Sequence, residues 1–201
     1  MSLNLPRFAA LALAACLMAS ATHAAEQSHT LLIEDISVHR LESGLEVNVA
    51  YQVPISLCKA FAFLTHYEGA TDMPGVLESR VLSREGNKVQ VRRLVEERIL
   101  FFPLKIHSVV EYSEFPNHGL DFHQISGNLK RYVGSWRLID DGLVVHFRYQ
   151  SLIEPDTLIP NVVMRHFIEH SMRKRFERMS ENAYRFGQTQ TAESKCVTNH
   201  Q

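Results

Sequence analysis

The sequence IEHSMRKRFERMSENAYRF, residues 168–186, carries its apolar side chains on one side of a helix. At about 100° per residue, six of them fall within an arc of about 80°: Ile168, Met172, Phe176, Met179, Ala183 and Phe186. The stripe extends over roughly 25 Å, because a helix rises about 1.5 Å per residue. A helix with such a stripe, beginning after Pro160, requires an apolar partner surface of similar length.

The segments upstream of this helix predict an antiparallel sheet, because their polarity alternates and short turns separate most of them. Turn sequences occur at 85–87 (EGN), 116–119 (PNHG) and 140–142 (DDG). Six predicted strands precede the helix: VLESRVLS, KVQVRRLVEERILF, LKIHSVVEYS, LDFHQISG, KRYVGSWRLID and LVVHFRYQSLI. The sheet is therefore the predicted partner of the apolar stripe.

A further strand and a short helix come before these six segments. Residues 45–53, LEVNVAYQV, alternate in polarity, and residues 30–42 can form the hairpin partner of this strand. Residues 54–69, PISLCKAFAFLTHYEG, repeat apolar side chains at helical spacing between a proline and a glycine. The predicted fold class is α+β, with an antiparallel sheet packed against a long C-terminal helix.

Residues 1–24 predict a secretory signal peptide, since one basic residue, an alanine-rich apolar run and small residues follow each other. The expected organisation is a signal peptide over 1–24, one domain over 25–187 and a disordered polar tail over 188–201. The predicted location is the periplasm. In an alternative reading, LAAC ending at Cys16 is a lipidation sequence that anchors the protein.

The charge balance gives no basis for binding nucleic acid. Without the leader and its single Arg7, 20 of the 21 Lys and Arg residues remain, against 22 Asp and Glu. Nucleic-acid binding needs a strong excess of positive charge. After Ala25 the sequence has no apolar run of about 18 residues, the length that a membrane-spanning helix requires.

Two cysteines, Cys58 and Cys196, would remain in the exported chain. Our interpretation is that Cys58 is a small buried hydrophobe in the first helix, while Cys196 lies in the polar tail. A disulfide between them is the alternative, because exported proteins fold in an oxidising compartment.

The sequence HFIEH at 166–170 has the residue order of inverted zinc proteases. On the helical wheel, His166 and His170 lie opposite the apolar stripe, and Glu177 lies about 10 Å further along the axis than His170. A catalytic zinc ion needs a third protein ligand. We therefore predict a solvated helix face and no metal site.

Other catalytic signals are weak in this sequence. It contains no G-x-S-x-G elbow, phosphate-binding glycine loop or dinucleotide fingerprint. His107, His123 and His146 occupy strand positions opposite the apolar ones, so they are predicted to point outward. We predict no cofactor and assign no catalytic residue.

Three stretches resemble the START-like (SRPBCC) superfamily, in particular its polyketide cyclase/dehydrase-type and coenzyme Q-binding branch. They are VPISLCKAFAFLTHYEGATDMPGVLESRVLSREGN, GSWRLIDDGLVVHFRYQSLIEP and IPNVVMRHFIEHSMRKRFERM. The resemblance spans residues 45–186. It implies a helix-grip fold, in which a curved antiparallel sheet wraps around the C-terminal helix and leaves a hydrophobic cavity.

Within that family the cavity holds lipids, sterols, isoprenoid quinones or polyketides, and no catalytic residue is shared by all members. This chain differs by the predicted signal peptide and by the extra strand segment at 30–42. Export puts in doubt any role that depends on a cytoplasmic or mitochondrial partner.

Strand alternation predicts which side chains face the helix. The inner set is Leu104, Ile106, Ser108, Val110, Tyr112, Leu120, Phe122, Gln124, Leu143, Val145, Phe147 and Tyr149. The residues predicted to contact a ligand are Ile106, Val110, Tyr112, Phe122, Gln124, Phe147, Tyr149, Arg165, Ile168, Met172, Phe176 and Met179. Alternatively, the same side chains fill a solid core.

Charged residues interrupt the apolar pattern at a few positions. Arg93 and Glu97 share a strand face with valines, and Arg165 and Arg175 border the helical stripe. A buried charge is costly unless it is paired. We hypothesise that Arg165 or Arg93 binds a carboxylate or phosphate head group; the alternative is an ion pair at the cavity rim with Glu96, Glu97 or Glu169. Trp136 is predicted to pack in the core.

The function expected from these features is binding of a hydrophobic small molecule by an exported carrier or sensor. The alternative is a cyclase or dehydratase-like enzyme in which Tyr112, Tyr149 or an inward histidine acts as acid or base. Enzymatic activity is the less favoured of the two. The basic side of the C-terminal helix, or the loop at 72–76, is expected to make transient contact with a membrane.

Overall fold

A computed structural model describes residues 33–99, 102–156 and 172–198. Its described strands are β1 Ile33–Arg40, β2 Leu45–Val53, β3 Val76–Glu85, β4 Lys88–Ile99, β5 Phe102–Phe115, β6 Gly119–Gly127, β7 Leu129–Asp140 and β8 Val145–Pro155. Its described helices are α1 Leu57–Leu64, a 3₁₀ helix Tyr67–Asp72, α2 Arg173–Gly187 and α3 Gln190–Thr198.

The eight strands form one antiparallel sheet in the order β1-β2-β8-β7-β6-β5-β4-β3. This order confirms the eight predicted strands and the predicted hairpin between β1 and β2. The β3–β4 and β7–β8 turns contain Gly86 at φ 60° and Gly142 at φ 89°. Those backbone conformations strain any residue with a Cβ atom, which explains why glycine occupies both turns.

Irregular pairing bends the sheet. The strand register shifts between Val81 and Ser83 of β3, between Val109 and Val110 of β5, and between Leu129 and Arg131 of β7. An extra residue on one strand of an antiparallel pair bends that strand and increases the local twist. One face of the sheet is therefore concave, and it holds the core.

Helix α2 packs against the concave face of the sheet through its apolar stripe, as the sequence predicts. Met172, Phe176 and Ala183 are buried, while Met179 and Phe186 are half-buried. The ring of Phe176 lies 5.5 Å from that of Tyr149 and 6.3 Å from that of Trp136, measured between centroids. Of the predicted stripe, Ile168 lies outside the described residues.

Two residues of the predicted inner set are exposed, so their assignment is wrong. Leu143 is 88% exposed. It precedes β8 in a turn where the carboxylate of Asp141 accepts the backbone N–H groups of Leu143 and Val144, at 3.0 and 2.9 Å. Leu104 is 39% exposed. It lies where the β4–β5 hairpin extends beyond its neighbours, because β6 pairs with β5 only from Ser108 onward.

The C-terminal segment that we expected to be disordered contains α3. Cys196 of this helix forms a disulfide with Cys58 of α1, with the two Cα atoms 5.6 Å apart. Glu193 forms a salt bridge with Lys59 at 2.6 Å, and Ala192 is buried. The interpretation of Cys58 as an unpaired hydrophobe is thus wrong. A polar segment that cannot fold alone becomes ordered here because α1 anchors it covalently and by packing.

Candidate functional site

A cavity of about 880 Å³ lies between the concave face of the sheet and α2. The end of α1 and the 3₁₀ helix close one side of it through Phe63, Leu64 and residues 69–74, and α2 contributes Met172, Phe176 and Met179. Most of the lining is apolar or aromatic. Its volume and lining fall within the usual range for a small-molecule site.

The structure brings seven of the residues predicted to contact a ligand to the cavity wall. These are Ile106, Tyr112, Phe122, Tyr149, Met172, Phe176 and Met179. They come from β5, β6, β8, α2 and the residue just before α2, so the curved sheet and the helix together gather side chains from distant parts of the sequence. Their contact with a ligand stays a prediction.

Three other predicted residues are described but are not lining residues. Phe147 is buried in the core and stacks on Tyr51 with ring centroids 4.8 Å apart. Val110 is fully buried in register with Val91 of β4. Gln124 donates its Nε2 hydrogen to the carbonyl oxygen of Leu129 at 2.8 Å, at the connection between β6 and β7. Arg165 and Ile168 lie outside the described residues.

An aromatic cluster forms the floor of the cavity. The ring of Trp136 lies 4.7 Å from that of Tyr149, and the ring of Phe122 lies 4.9 Å from that of Tyr132. Trp136 is 8% exposed and also packs edge-on against Tyr51 at 6.2 Å. The prediction that it packs in the core is confirmed, although part of its side chain reaches the cavity wall as well.

Arg93 reaches the cavity from β4, on the face where the sequence placed it. Its Nε donates a hydrogen bond to the Oγ of Ser79 at 3.4 Å, and that hydroxyl donates to the carbonyl oxygen of Tyr67 at 2.6 Å. The guanidinium carbon lies 5.4 Å from the centre of the Tyr112 ring. Contact with an aromatic face stabilises a cation that has lost part of its water.

Three tyrosines, Tyr112, Tyr132 and Tyr149, contribute phenol hydroxyl groups to the cavity wall. The hydroxyl oxygens of Tyr132 and Tyr149 lie 3.4 Å apart. Burial raises the pKa of Tyr112 to about 12, and it also raises the pKa values of Tyr132 and Tyr149. These phenols therefore stay protonated near neutral pH and offer hydrogen-bond donors rather than bases.

Charged side chains on α2 lie at the rim of the cavity, where the lining residues Arg178 and Arg185 are exposed. Glu181 forms ion pairs with Arg178 at 3.1 Å and with Arg185 at 3.2 Å. Arg175, one turn from Arg178, also lines the cavity, and burial lowers its pKa. The 3₁₀ helix contributes the exposed Asp72. These α2 residues were not in the predicted ligand set.

Tyr132 is the main wall residue that the sequence prediction missed. It lies on β7, from which no ligand-contacting residue was proposed, and it lines the cavity together with Leu129 and Trp136. Strand alternation through Tyr132, Gly134 and Trp136 is a signal that could have identified it. His66, stacked on Phe186 with ring centroids 5.2 Å apart, was also missed because it follows α1 in an irregular segment.

Within the described ranges, no cluster of three or more His, Cys, Asp or Glu side chains has the arrangement of a metal site. The HFIEH sequence at 166–170 lies outside those ranges. None of the described helices is long and apolar enough to cross a membrane.

Residues 53–180, which are 128 of the 201 residues, match the family model described as polyketide cyclase / dehydrase and lipid transport. The chain therefore belongs to this family. A search of curated proteins gives no match.

Solved structures of START and STAR-related proteins share the fold of this chain. A STAR-related lipid transfer protein from Xanthomonas axonopodis is similar with a TM-score of 0.61 and 12% identity, over 76% of this chain and 98% of that one. A START superfamily protein from Mycobacterium smegmatis gives 0.57 and 12%, over 70% and 97%. Human STARD10 gives 0.56 and 10%, over 83% and 78%. At these identities the likeness establishes the helix-grip fold alone.

Proposed function

We propose that this protein encloses a hydrophobic small molecule, such as a lipid, an isoprenoid quinone or a polyketide-like compound, and acts as a carrier or sensor. The observation that carries the proposal is the cavity of about 880 Å³ between the sheet and α2, with its largely apolar and aromatic wall. Burial of apolar ligand surface would drive binding at about 25 cal/mol per Å². Binding of this kind requires no covalent chemistry.

Met172 and Met179 suit a wall that adapts to its ligand. Met179 lies on α2, and Met172 is the residue that caps the start of this helix; both line the cavity, and Met179 is only half-buried. An unbranched thioether has several rotamers of similar energy, so it can repack around molecules of different shape. The methionines therefore favour a carrier for a group of related compounds.

We further propose that the protein acts in the periplasm after export. The pattern of residues 1–24 supports this location, with lipid anchoring at Cys16 as the alternative. The Cys58–Cys196 disulfide also supports it, because structural disulfides persist mainly in oxidising compartments. Cell fractionation and mass determination of the mature N-terminus test the proposal; a cytoplasmic protein retaining residues 1–24 would refute it.

Native mass spectrometry of the gently purified protein, followed by lipid extraction, tests ligand binding. A stoichiometric apolar molecule is the expected result. A protein that is empty and takes up neither fluorescent lipids nor quinone analogues would refute the proposal.

The location of the binding site is tested by Met179→Trp, which places a large side chain in the cavity. This variant should take up the fluorescent lipid poorly. Glu177→Trp is the matched control, because Glu177 lies on the same helix but is exposed and does not line the cavity. Equal uptake by the two variants would contradict the placement of the site.

The alternative function is that of a cyclase or dehydratase-like enzyme. The hydroxyl pair of Tyr132 and Tyr149 favours it, because protonated phenols can polarise a carbonyl group. The base would then be a different group, since burial keeps these phenols protonated. His66 lines the cavity and is the candidate. Conversion of a bound polyketide analogue, followed by mass spectrometry, separates this function from carriage of an unchanged ligand.

A further inference from the structure

Positively charged side chains outnumber negatively charged ones on the described part of the cavity wall. Among the described lining residues, four are arginines (Arg93, Arg175, Arg178 and Arg185) and one, Asp72, is a carboxylate. Arg178 and Arg185 share the carboxylate of Glu181 at the rim. A low-dielectric cavity with cationic walls attracts a ligand of negative charge.

Arg93 differs from the rim arginines in its surroundings. It is half-buried, and the groups that it contacts here are neutral: the hydroxyl of Ser79 and the ring of Tyr112. No described carboxylate lies within ion-pair distance of it; the side chain of Glu97 is outside the described part. A guanidinium that has lost water without gaining an anion is in an unfavourable state.

Among the described residues, only the Nε–H donor of Arg93 has a hydrogen-bond partner. A guanidinium has five N–H donors, and the Nε–H of Arg93 is used by Ser79. The two terminal NH₂ groups form the planar fork that binds carboxylate and phosphate oxygens in pairs. Tyr112 lies beneath this fork, and Tyr132 and Tyr149 line the same cavity.

We infer that the ligand is an amphiphilic anion, whose carboxylate or phosphate head group binds Arg93 beside Tyr132 and Tyr149. Its apolar body then packs against α2 at Phe176 and Met179. This inference rests on the proposed function, because it names the chemical class of molecule that the cavity takes. Carboxylate and phosphate are chemically equivalent partners for the guanidinium, so the experiment must distinguish between them.

The experiment measures displacement of the neutral dye Nile red from the full, disulfide-bonded protein, below micelle concentrations. Palmitate, cetyl phosphate and cetyl alcohol share one chain length and differ in head group. In the wild type, at least one anion should bind about 10- to 100-fold more tightly than the alcohol, the range expected for charge-assisted hydrogen bonds. The tighter anion identifies the head group.

Arg93→Gln should remove most of the preference for the anion and leave the affinity for cetyl alcohol within about threefold. Arg93→Lys keeps the charge but loses the planar fork, so an intermediate preference is expected. Arg92→Gln is the matched control, because Arg92 is the next residue on β4 and is exposed. It should behave like the wild type.

Several results would overturn the inference. Equal affinity of wild-type protein for the alcohol and both anions would do so, and this comparison holds even if Arg93→Gln fails to fold in a thermal melt. An undiminished anion preference in folded Arg93→Gln would also overturn it. If neither Nile red nor any of the three compounds binds the wild type, the proposed function itself is wrong.

Discussion

The two ends of the concave face are built from the same alternating pattern, yet one is solid and the other hollow. Where β2 pairs with the first residues of β8, Tyr51 and Phe147 stack in a fully buried core, while Tyr149 further along β8 already lines the cavity. At the β4–β6 end, Tyr112 and Phe122 form the wall of the cavity. The difference shows that alternation selects the inward face of a strand, while the distance to the helix decides whether that face is filled.

The largest loss of stability is expected from Phe147→Ala, which removes a buried side chain at the solid end. Removing a fully buried phenylalanine should lower the free energy of unfolding by about 3–5 kcal/mol, because a void replaces its contacts. Met179→Ala at the hollow end should cost roughly 1 kcal/mol or less, since the side chain already borders open space. Urea denaturation measures both values. Equal losses would show that the two ends do not differ in packing.

The disulfide joins two cysteines that are 138 positions apart in the sequence. It fixes α3 to α1 beside the cavity. Cys58→Ser combined with Cys196→Ser should cost about 2–5 kcal/mol, mainly because the unfolded chain gains freedom. Hydrogen exchange should become faster in α3, which otherwise depends on Ala192 and the Lys59–Glu193 pair. Unchanged exchange there would mean that packing alone orders α3.

A smaller contribution to the stability of the fold, which depends on pH, is expected from His146. This residue lies on the outer surface of the solid end. Its ring nitrogens contact Asp141 at 3.2 Å and Glu34 at 2.5 Å, and these carboxylates raise the pKa of His146. Because the folded-state pKa is raised, the stabilisation is full below the unfolded value of about 6.5 and is lost as pH rises through the folded value.

His146→Gln tests this expectation in thermal melts over a series of pH values. The stability difference between wild type and variant should be largest below about pH 6.5 and should shrink at higher pH. A difference that stays constant with pH would show that His146 acts through packing or neutral hydrogen bonds. Substituting the outward His123, which has no described ion pair, is the matched control.

Prediction from the sequence succeeded where a repeating pattern acts over several residues. The apolar side of α2 and the eight strands were correct because burial imposes a period on every residue of an element. It failed at element ends: Leu143 was assigned to a strand, but the Asp141 side chain folds that position into a turn. Part of the cavity wall was predicted, whereas Tyr132 was missed because no inward-facing residues had been assigned on β7.

The sequence by itself determined the order of the elements, the buried side of α2 and the inward face of most strands, including the position of Arg93 on β4. Only the tertiary structure decided that Cys58 and Cys196 meet, that the C-terminal segment forms α3, and that a cavity remains beneath α2. The physical reason is that periodicity is local, whereas a bond between distant residues and the space between two layers depend on the curvature of the sheet.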